Sequence, residues 1–199
     1  MKILIGVLTY PPEIGGAAHL VHELAVRLQE RDHEVTVLTG FPSYHIYDIP
    51  EKYRKGNRLD EEIDGVRVRR IRYVEVKPDN IIERGFQHFM IGAWLNALCA
   101  ITKDIDVALI FSPPLPLAWM ICLQGKLRRL PVVINIQDLF PREVIELGML
   151  KNRLLIWLFE RMERAVYRSA SSVTVHSPGN KEHVLSHGGK PGKVDVVYN

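Results

Sequence analysis

The first forty residues limit the possible folds more than any other part of the chain. Lys2 to Thr9 is a nearly continuous apolar run rich in Ile, Val and Leu, typical of a parallel strand buried on both faces. Between Ala18 and Leu28, apolar residues recur at helical spacing. Glu34 to Leu38 (EVTVL) is then typical of a second strand. Strand, loop, helix and strand in this order predict a βαβ unit.

The same alternation continues along the chain, apart from a predicted long loop at Thr39–Glu62. We expect one domain over residues 1–199, with about seven strands and helices on both faces of the sheet. Right-handed crossovers make this a single doubly wound, mostly parallel, Rossmann-like α/β sheet. The other predicted elements are strands Gly65–Tyr73, Asp106–Phe111, Pro131–Ile136, Ser172–Val175 and Val194–Val197, and helices Asn80–Ile101, Pro116–Arg128, Leu154–Tyr167 and Asn180–His187.

Composition and charge exclude several classes of protein. A chain that is 47% hydrophobic and 25% charged is neither disordered nor collagen-like. The net charge of +3 is too small to indicate nucleic acid, and no nucleic-acid partner is expected. Basic clusters at Arg67–Arg72 and Lys126–Arg129 leave a local anionic partner open, although solvated surfaces are favoured. Cys99 and Cys122 lie in apolar runs, which predicts buried thiols in a reducing compartment.

The loop after the first strand contains a glycine pair. Ligands of parallel sheets bind beyond the carboxyl ends of the strands, so this loop is a candidate site. Gly15 and Gly16 open the first helix without a side chain over its N–H groups, and such a helix start attracts phosphate or a developing anion. A plain tight turn is the alternative. The pair lacks GxGxxG spacing, which disfavours a dinucleotide-dependent oxidoreductase.

Polar residues gather after the fifth predicted strand. The segment INIQDLFPRE brings Gln137, Asp138 and Arg142 to one strand end, where polar groups can orient a hydroxylated substrate. Capping a helix is the alternative role of Asp138. Ser112 begins a proline-rich loop that is best explained as a rigid turn. His19 is a candidate proton carrier or a satisfied polar contact.

No other sequence motif in the chain identifies a reaction. No His, Cys or Asp cluster has metal-ligand spacing, and neither a GxSxG elbow nor a Walker loop is present. We therefore expect no metal site and no cofactor.

Five motifs occur along the chain in a characteristic order: TYPPEIGGAAHLVHELAVRLQERDHEVTVLTG, FPSY, EEIDGVRVRRI, INIQDLFPREVIELGML and VDVVYN. Together they resemble the N-terminal, acceptor-side half of family-4 retaining glycosyltransferases with the GT-B fold. The chain is similar to bacterial and archaeal enzymes that extend lipid-linked saccharides, including acetyl-fucosamine transferases. The resemblance covers essentially the whole chain. Where the family often has His, this chain has Gln137-Asp138, as in one subgroup.

The resemblance implies how a complete enzyme would work. This domain would shape the acceptor side of a cleft, and a second Rossmann-like domain, which we expect this chain to lack, would bind a nucleotide-sugar donor. Gly15 and Gly16 would lie near the donor phosphates. The residues assigned to catalysis are Asp138, Gln137 and His19, and those assigned to substrate binding are Gly15, Gly16, Arg142, Ser112 and Tyr44.

Three further expectations concern the chain as a whole. The chain is either one domain of a longer enzyme or one subunit of a split transferase, and it is inactive alone. The alternative function is a non-catalytic module that binds a saccharide or docks a partner. Localisation is expected to be cytoplasmic and peripheral on the inner face of the cell membrane, where a lipid-linked saccharide would be reached.

The helix predicted at Asn80–Ile101 could supply the membrane contact. Its nearly all-apolar part, Phe89–Ile101, has thirteen residues, fewer than the ~20 that span a bilayer. The alternative is a helix buried between the sheet and a neighbour. The residues expected at the membrane are Phe86, Phe89, Met90, Trp94 and Leu95, assisted by Arg84 and the basic strand Arg67–Arg72.

Overall fold

The computed structural model describes residues 1–42, 49–73 and 81–198. Within these residues, eight strands form one sheet: β1 (Lys2–Gly6), β2 (Glu34–Gly40), β3 (Arg58–Ile63), β4 (Val66–Ile71), β5 (Val107–Ser112), β6 (Val132–Ile136), β7 (Ser172–Val175) and β8 (Val194–Val196). The helices are α1 (Gly16–Gln29), α2 (Glu51–Arg54), α3 (Ile81–Ile101), α4 (Leu115–Arg128), α5 (Arg142–Glu146), α6 (Arg153–Ser169) and α7 (Pro178–Ser186).

The strand order is β3-β4-β2-β1-β5-β6-β7-β8, and β3 alone among these strands runs antiparallel to its neighbour. Two apolar clusters lie on opposite faces of the sheet. Val21 of α1 packs with Ile5 of β1 on one face, whereas the adjacent Leu4 packs with the cluster that includes α3, α4 and α6. The predicted doubly wound, mostly parallel α/β sheet is confirmed.

The prediction of a loop over Thr39–Glu62 is wrong where β2 extends to Gly40, where α2 forms at Glu51–Arg54, and in the last part, where β3 pairs with β4. Asp64 and Gly65 connect the two strands with φ of 49° and 79°, the left-handed conformation that a tight hairpin requires. The inward side of β3 consists of Leu59, Glu61 and Ile63. Because a carboxylate occupies its centre, β3 lacks the apolar alternation that indicates a strand.

Arg70 explains why the Glu61 carboxylate is tolerated on the inward side of β3. A solvated face was favoured for the β4 arginines, but Arg70 is fully buried because it shares its face with Val66 and Val68. Its Nε donates to Glu61 Oε1 at 2.6 Å, its Nη1 donates to Gly40 O at 3.1 Å and its Nη2 donates to Pro11 O.

Glu61 receives further hydrogen bonds from α2. Lys52 Nζ lies 2.7 Å from Glu61 Oε2, and the Tyr53 hydroxyl donates to the same carboxylate at 3.0 Å. Burial by itself raises the pKa of Glu61, but the hydrogen bonds from Lys52 and Arg70 outweigh it and lower that pKa below its usual value. The pair Arg70–Glu61 therefore joins β3, β4 and α2 as charged groups.

Two other arginines of the cluster are also held internally. Arg69 pairs with Asp60 at 3.3 Å, and Arg72, which follows β4, donates to the backbone carbonyls of Gly56 and Tyr53. Arg67, by contrast, is exposed. These contacts correct the expectation that the whole strand Arg67–Arg72 assists a membrane contact.

The cysteines lie in the core as predicted. Cys99 of α3 and Cys122 of α4 are buried and free. Burial raises the pKa of Cys99 to about 11 and that of Cys122 to about 12, so both remain protonated thiols at neutral pH.

Candidate substrate site at the carboxyl edge of the sheet

Three of the sequence-predicted loops lie at one edge of the sheet. β1, β5 and β6 are parallel neighbours, so the segments that follow Gly6, Ser112 and Ile136 leave from the same side. The backbone N–H of Gln137 donates to Ser112 O at 2.8 Å, which ties two of these loops together.

The glycine pair begins α1 with open space around it. Gly15 is the N-cap, no side chain caps the helix and no acid occupies its first turn. A Cβ at Gly15 or Gly16 would meet no atom within 4 Å. Internal packing therefore does not require glycine at either position, and the helix start is accessible to an anion. His19 is exposed one turn into the helix.

Buried polar groups hold the loop that precedes the glycines. Glu13 is 5% exposed, and its carboxylate accepts from the Tyr10 backbone N–H at 3.2 Å. The donation from Arg70 to Pro11 O fixes the middle of the loop. The Tyr10 hydroxyl lies 3.0 Å from His22 Nδ1, and burial raises the pKa of Tyr10 to about 12. Sequence reasoning missed the role of Arg70 in this loop because Pro11 is 59 residues away from it along the chain.

A cavity of about 250 Å³ opens at the same edge. It lies between the start of α3, the loop after β5, the segment after β6 and α6, and Phe140 and Phe159 form much of its apolar lining. Asp138, His88 and Glu143 add polar groups. A mostly apolar cavity with few polar groups is typical of a small-molecule site. The predicted polar segment INIQDLFPRE contains both Asp138 and Glu143, whereas His88 was not predicted.

Glu143 also shapes the segment after β6. Its Oε1 accepts from the Leu139 backbone N–H at 3.0 Å, which fixes the turn that follows the exposed Asp138. Asp138 does not cap the following helix, because the N-cap of α5 is Pro141.

The other sequence-predicted residues lie around the cavity without lining it. Gln137 donates to Asn135 Oδ1, and Asn135 donates to Thr174 Oγ1 at 2.9 Å. Arg142 pairs with Glu146 at 2.7 Å on the surface. Ser112 is 3% exposed, which favours a structural role for its side chain. Gly15 and Gly16 are at the edge but outside the cavity, and Tyr44 lies outside the described residues.

α3 has two different faces, which corrects part of the predicted membrane segment. Leu95 is 1% exposed and packs in the core, and Phe89 is half-buried against Phe159. Phe86, Met90 and Trp94 are exposed by 67%, 36% and 48%. The side chain of Arg84 lies outside the described part of the structure. Among the described residues, no helix combines the length and hydropathy needed to cross a bilayer.

This sheet, with its open carboxyl edge, is the architecture of one half of a GT-B glycosyltransferase. Sucrose-phosphate synthase from Thermosynechococcus elongatus superposes with a TM-score of 0.62 at 14% identity over 99% of this chain. HepE of Anabaena, in complex with UDP and glucose, superposes with a TM-score of 0.57 at 17% identity over 100% of this chain. The catalytic domain of starch synthase IV of Arabidopsis thaliana, bound to ADP and acarbose, superposes with a TM-score of 0.58 at 14% identity over 100% of this chain. This chain covers only 47%, 44% and 51% of those chains.

The family follows from the sequence itself. Residues 15–199 match the model of the glycosyl transferase 4-like domain, and the chain belongs to that family. The comparison with curated proteins found no significant match.

Proposed function

We propose that this chain is the acceptor-side half of a retaining glycosyltransferase that transfers a sugar from a nucleotide diphosphate donor to a hydroxyl of a lipid-linked saccharide. The main support is one observation: an accessible helix start and a mostly apolar cavity with polar groups share one edge of a GT-B half. Similar folds occur in complexes with UDP-glucose and with ADP and acarbose, which supports a nucleotide-sugar and a saccharide as the ligands.

The start of α1 serves the donor in this proposal. As the bond to the sugar breaks, negative charge develops on the leaving diphosphate, and fixed N–H donors stabilise it without reorganising. Gly15 and Gly16 leave room for phosphate oxygens to approach the backbone. The loop contacts of Glu13 and Arg70 keep that helix start in place.

The cavity serves the acceptor. Asp138 and Glu143 can accept hydrogen bonds from sugar hydroxyls, and the Phe140 and Phe159 rings offer apolar surface to the face of a sugar ring. Asp138 orients the attacking hydroxyl, and Gln137, held by Asn135, positions the strand end. His19 and Arg142 remain secondary candidates for contact with the substrates.

An exposed apolar surface next to the cavity supports a lipid-linked acceptor. Gly85 lines the cavity and is followed by exposed Phe86 on α3. On α6, Leu154, Trp157 and Leu158 are exposed. The helical spacing of Leu158 predicts a position facing the core, but 39% of it is accessible to solvent. The Arg161 guanidinium lies 5.1 Å from the Trp157 ring. Aromatic and basic side chains together suit the headgroup region, so we place this surface at the inner face of a membrane.

The membrane assignment predicts binding to anionic vesicles at low salt. Replacing both Phe86 and Trp94 by serine should abolish cosedimentation with phosphatidylglycerol vesicles, because it removes exposed apolar area without opening the core. Leu127→Ser is the matched control, because Leu127 is 80% exposed near the C-terminal end of α4, whereas the start of that helix lines the cavity. Equal sedimentation of the double variant and the control would contradict the assignment.

In this proposal two domains form the cleft, and this chain supplies one of its walls. We therefore expect that the chain alone binds no nucleotide-sugar measurably. Calorimetry with UDP-glucose and with a nucleotide-activated acetyl-fucosamine should give no heat of binding, whereas the chain combined with a donor-binding domain should bind and turn over. Micromolar affinity for the chain alone would contradict the proposal. Saccharide binding without turnover by the complete protein would favour the non-catalytic alternative.

Asp138 can be tested within the same assay. Asn keeps an oxygen acceptor but lacks the charge, and a hydrogen bond to a charged group is worth about 1–1.5 kcal/mol more than one to a neutral group, so Asp138→Asn should raise the acceptor KM about 5- to 10-fold. Asp104→Asn is the matched control, since Asp104 is exposed just before β5 and Asn tolerates its φ of 56°. Nuclear magnetic resonance of the product then reports whether the anomeric configuration is retained.

A further inference from the structure

A second group of polar residues lies between α6 and α7, outside the cavity. Glu163 of α6 is 1% exposed, His183 lies in α7 and His187 is the residue at its C-terminal cap. One ligand atom from each of the three side chains lies within 4.8 Å of the other two. The sequence alone predicts no metal cluster here, because Glu163 is twenty residues from His183 and only the packing of α7 on α6 brings them together.

The two histidines are spaced as metal ligands on a helix. His183 and His187 are four residues apart, so their side chains project from the same face, and their rings stack with centroids 4.0 Å apart. Pairs of histidines at this spacing chelate zinc on helices. The third ligand comes from another element, as in zinc sites with two histidines and one glutamate.

The distance between Glu163 and His183 is close to that required by one small cation, and the His187 ligand atom lies within 4.8 Å of both. His183 Nε2 lies 2.9 Å from Glu163 Oε1. Zinc binds each nitrogen or oxygen at about 2.0–2.2 Å, and two such atoms at a tetrahedral angle are about 3.3 Å apart. A slight separation of Glu163 and His183 therefore admits the ion, which takes the place of the proton shared by these two side chains.

The surrounding hydrogen bonds orient the ligands. His187 Nδ1 lies 2.9 Å from the His183 carbonyl oxygen, and since a carbonyl only accepts, Nδ1 carries the hydrogen and Nε2 keeps its lone pair. The Tyr167 hydroxyl donates to Glu163 Oε1 at 3.0 Å. Metal-bound histidines and carboxylates are typically held by such outer contacts.

We propose that Glu163, His183 and His187 form a Zn²⁺ site that fastens α7 to α6, with the fourth position open to water. Such a link would stabilise α7, which has nine residues and of which Val184 is the fully buried residue. His187 is half-buried, which gives the ion a route from solvent.

Zinc titration of the metal-free chain 1–199 tests the site. Calorimetry should show one saturable site, and zinc should raise the midpoint of thermal unfolding. Co²⁺ should bind with the intense visible absorption of a tetrahedral centre. His187→Gln should lower Zn²⁺ affinity by more than about 100-fold, and Tyr167→Phe by about 10-fold, the smaller effect expected of an outer contact.

Two controls separate this site from adventitious binding. His19→Gln removes an exposed histidine elsewhere and should leave Zn²⁺ affinity unchanged. The thermal midpoint of metal-free His187→Gln should fall only slightly below that of the metal-free parent, because the substitution removes the ring stacking and the Nδ1 hydrogen bond but leaves the pair of His183 with Glu163 in place. Absence of saturable binding, or equal Zn²⁺ affinity in His187→Gln and the parent, would show that Glu163 and His183 form only an ion pair.

Discussion

Replacing Arg70 by methionine is expected to lower the free energy of unfolding by about 3–5 kcal/mol, the usual cost of removing one partner of a buried ion pair. The substitution leaves the Glu61 carboxylate without its guanidinium partner, and it leaves Gly40 O and Pro11 O without their donors. Urea denaturation followed by circular dichroism measures the loss.

Two comparisons make this prediction specific. Arg67→Met removes an arginine from the opposite, exposed face of β4 and should change stability by less than about 0.5 kcal/mol. Adding Glu61→Leu to Arg70→Met should recover part of the loss, since it removes the uncompensated charge. A single Arg70→Met variant as stable as Arg67→Met would refute a structural role for the buried pair.

The same pair makes stability sensitive to acid. The pKa of Glu61 is lower in the folded chain than its ordinary value of 4.5, so the contribution of Glu61 is fully present above that pH. It is lost as the pH falls through the lowered folded-state pKa. The parent should therefore lose more stability on acidification than Glu61→Gln, in which this titration is absent.

Gly16→Asp is expected to reduce the activity of the transferase proposed above, assayed together with a donor-binding domain, about 10²- to 10³-fold, the range for loss of one preorganised anion contact. The carboxylate would occupy the open space at the start of α1 and repel the donor phosphates. An acid in the first helical turn stabilises the helix by about 0.3–1 kcal/mol, so the fold should be unharmed. Initial rates and thermal unfolding of one preparation measure both effects.

Gly16→Ala separates charge from volume. Its methyl group meets no atom within 4 Å, so the variant should fold normally and keep activity within about 10-fold of the parent. If Gly16→Asp keeps the activity of Gly16→Ala, the helix start does not bind the donor. If both variants unfold, position 16 does not tolerate a side chain, contrary to the expectation from the open space around Gly16.

The alternating pattern of the chain was enough to predict most of the sheet. Runs such as PVVINI are apolar on both faces, and a buried parallel strand must be, so their positions show directly in the sequence. β3 could not be found in this way, because its inward Glu61 is stabilised by a residue from the next strand. Its only local signal was the Asp64-Gly65 turn.

The candidate site was predictable in part for a similar reason. Parallel topology places the loops after β1, β5 and β6 at one edge, so Gly15, Gly16 and Asp138 could be named from their positions after strands. His88 lies within a helix and has no local signature of a site, whereas Glu143 belongs to the polar segment INIQDLFPRE. They line the cavity because α3 and α5 approach the same strand ends.

The sequence by itself determined the fold class, the order of the strands along the chain and the loops that meet at the carboxyl edge, since these follow from periodicity and from the handedness of crossovers. Only the tertiary structure decided which polar side chains are buried and paired. Arg70 with Glu61, and Glu163 with His183, are partners from different elements, and their spacing along the chain carries no trace of the contact. A buried charge is stable only beside its partner, and that proximity exists only after the helices and strands have packed.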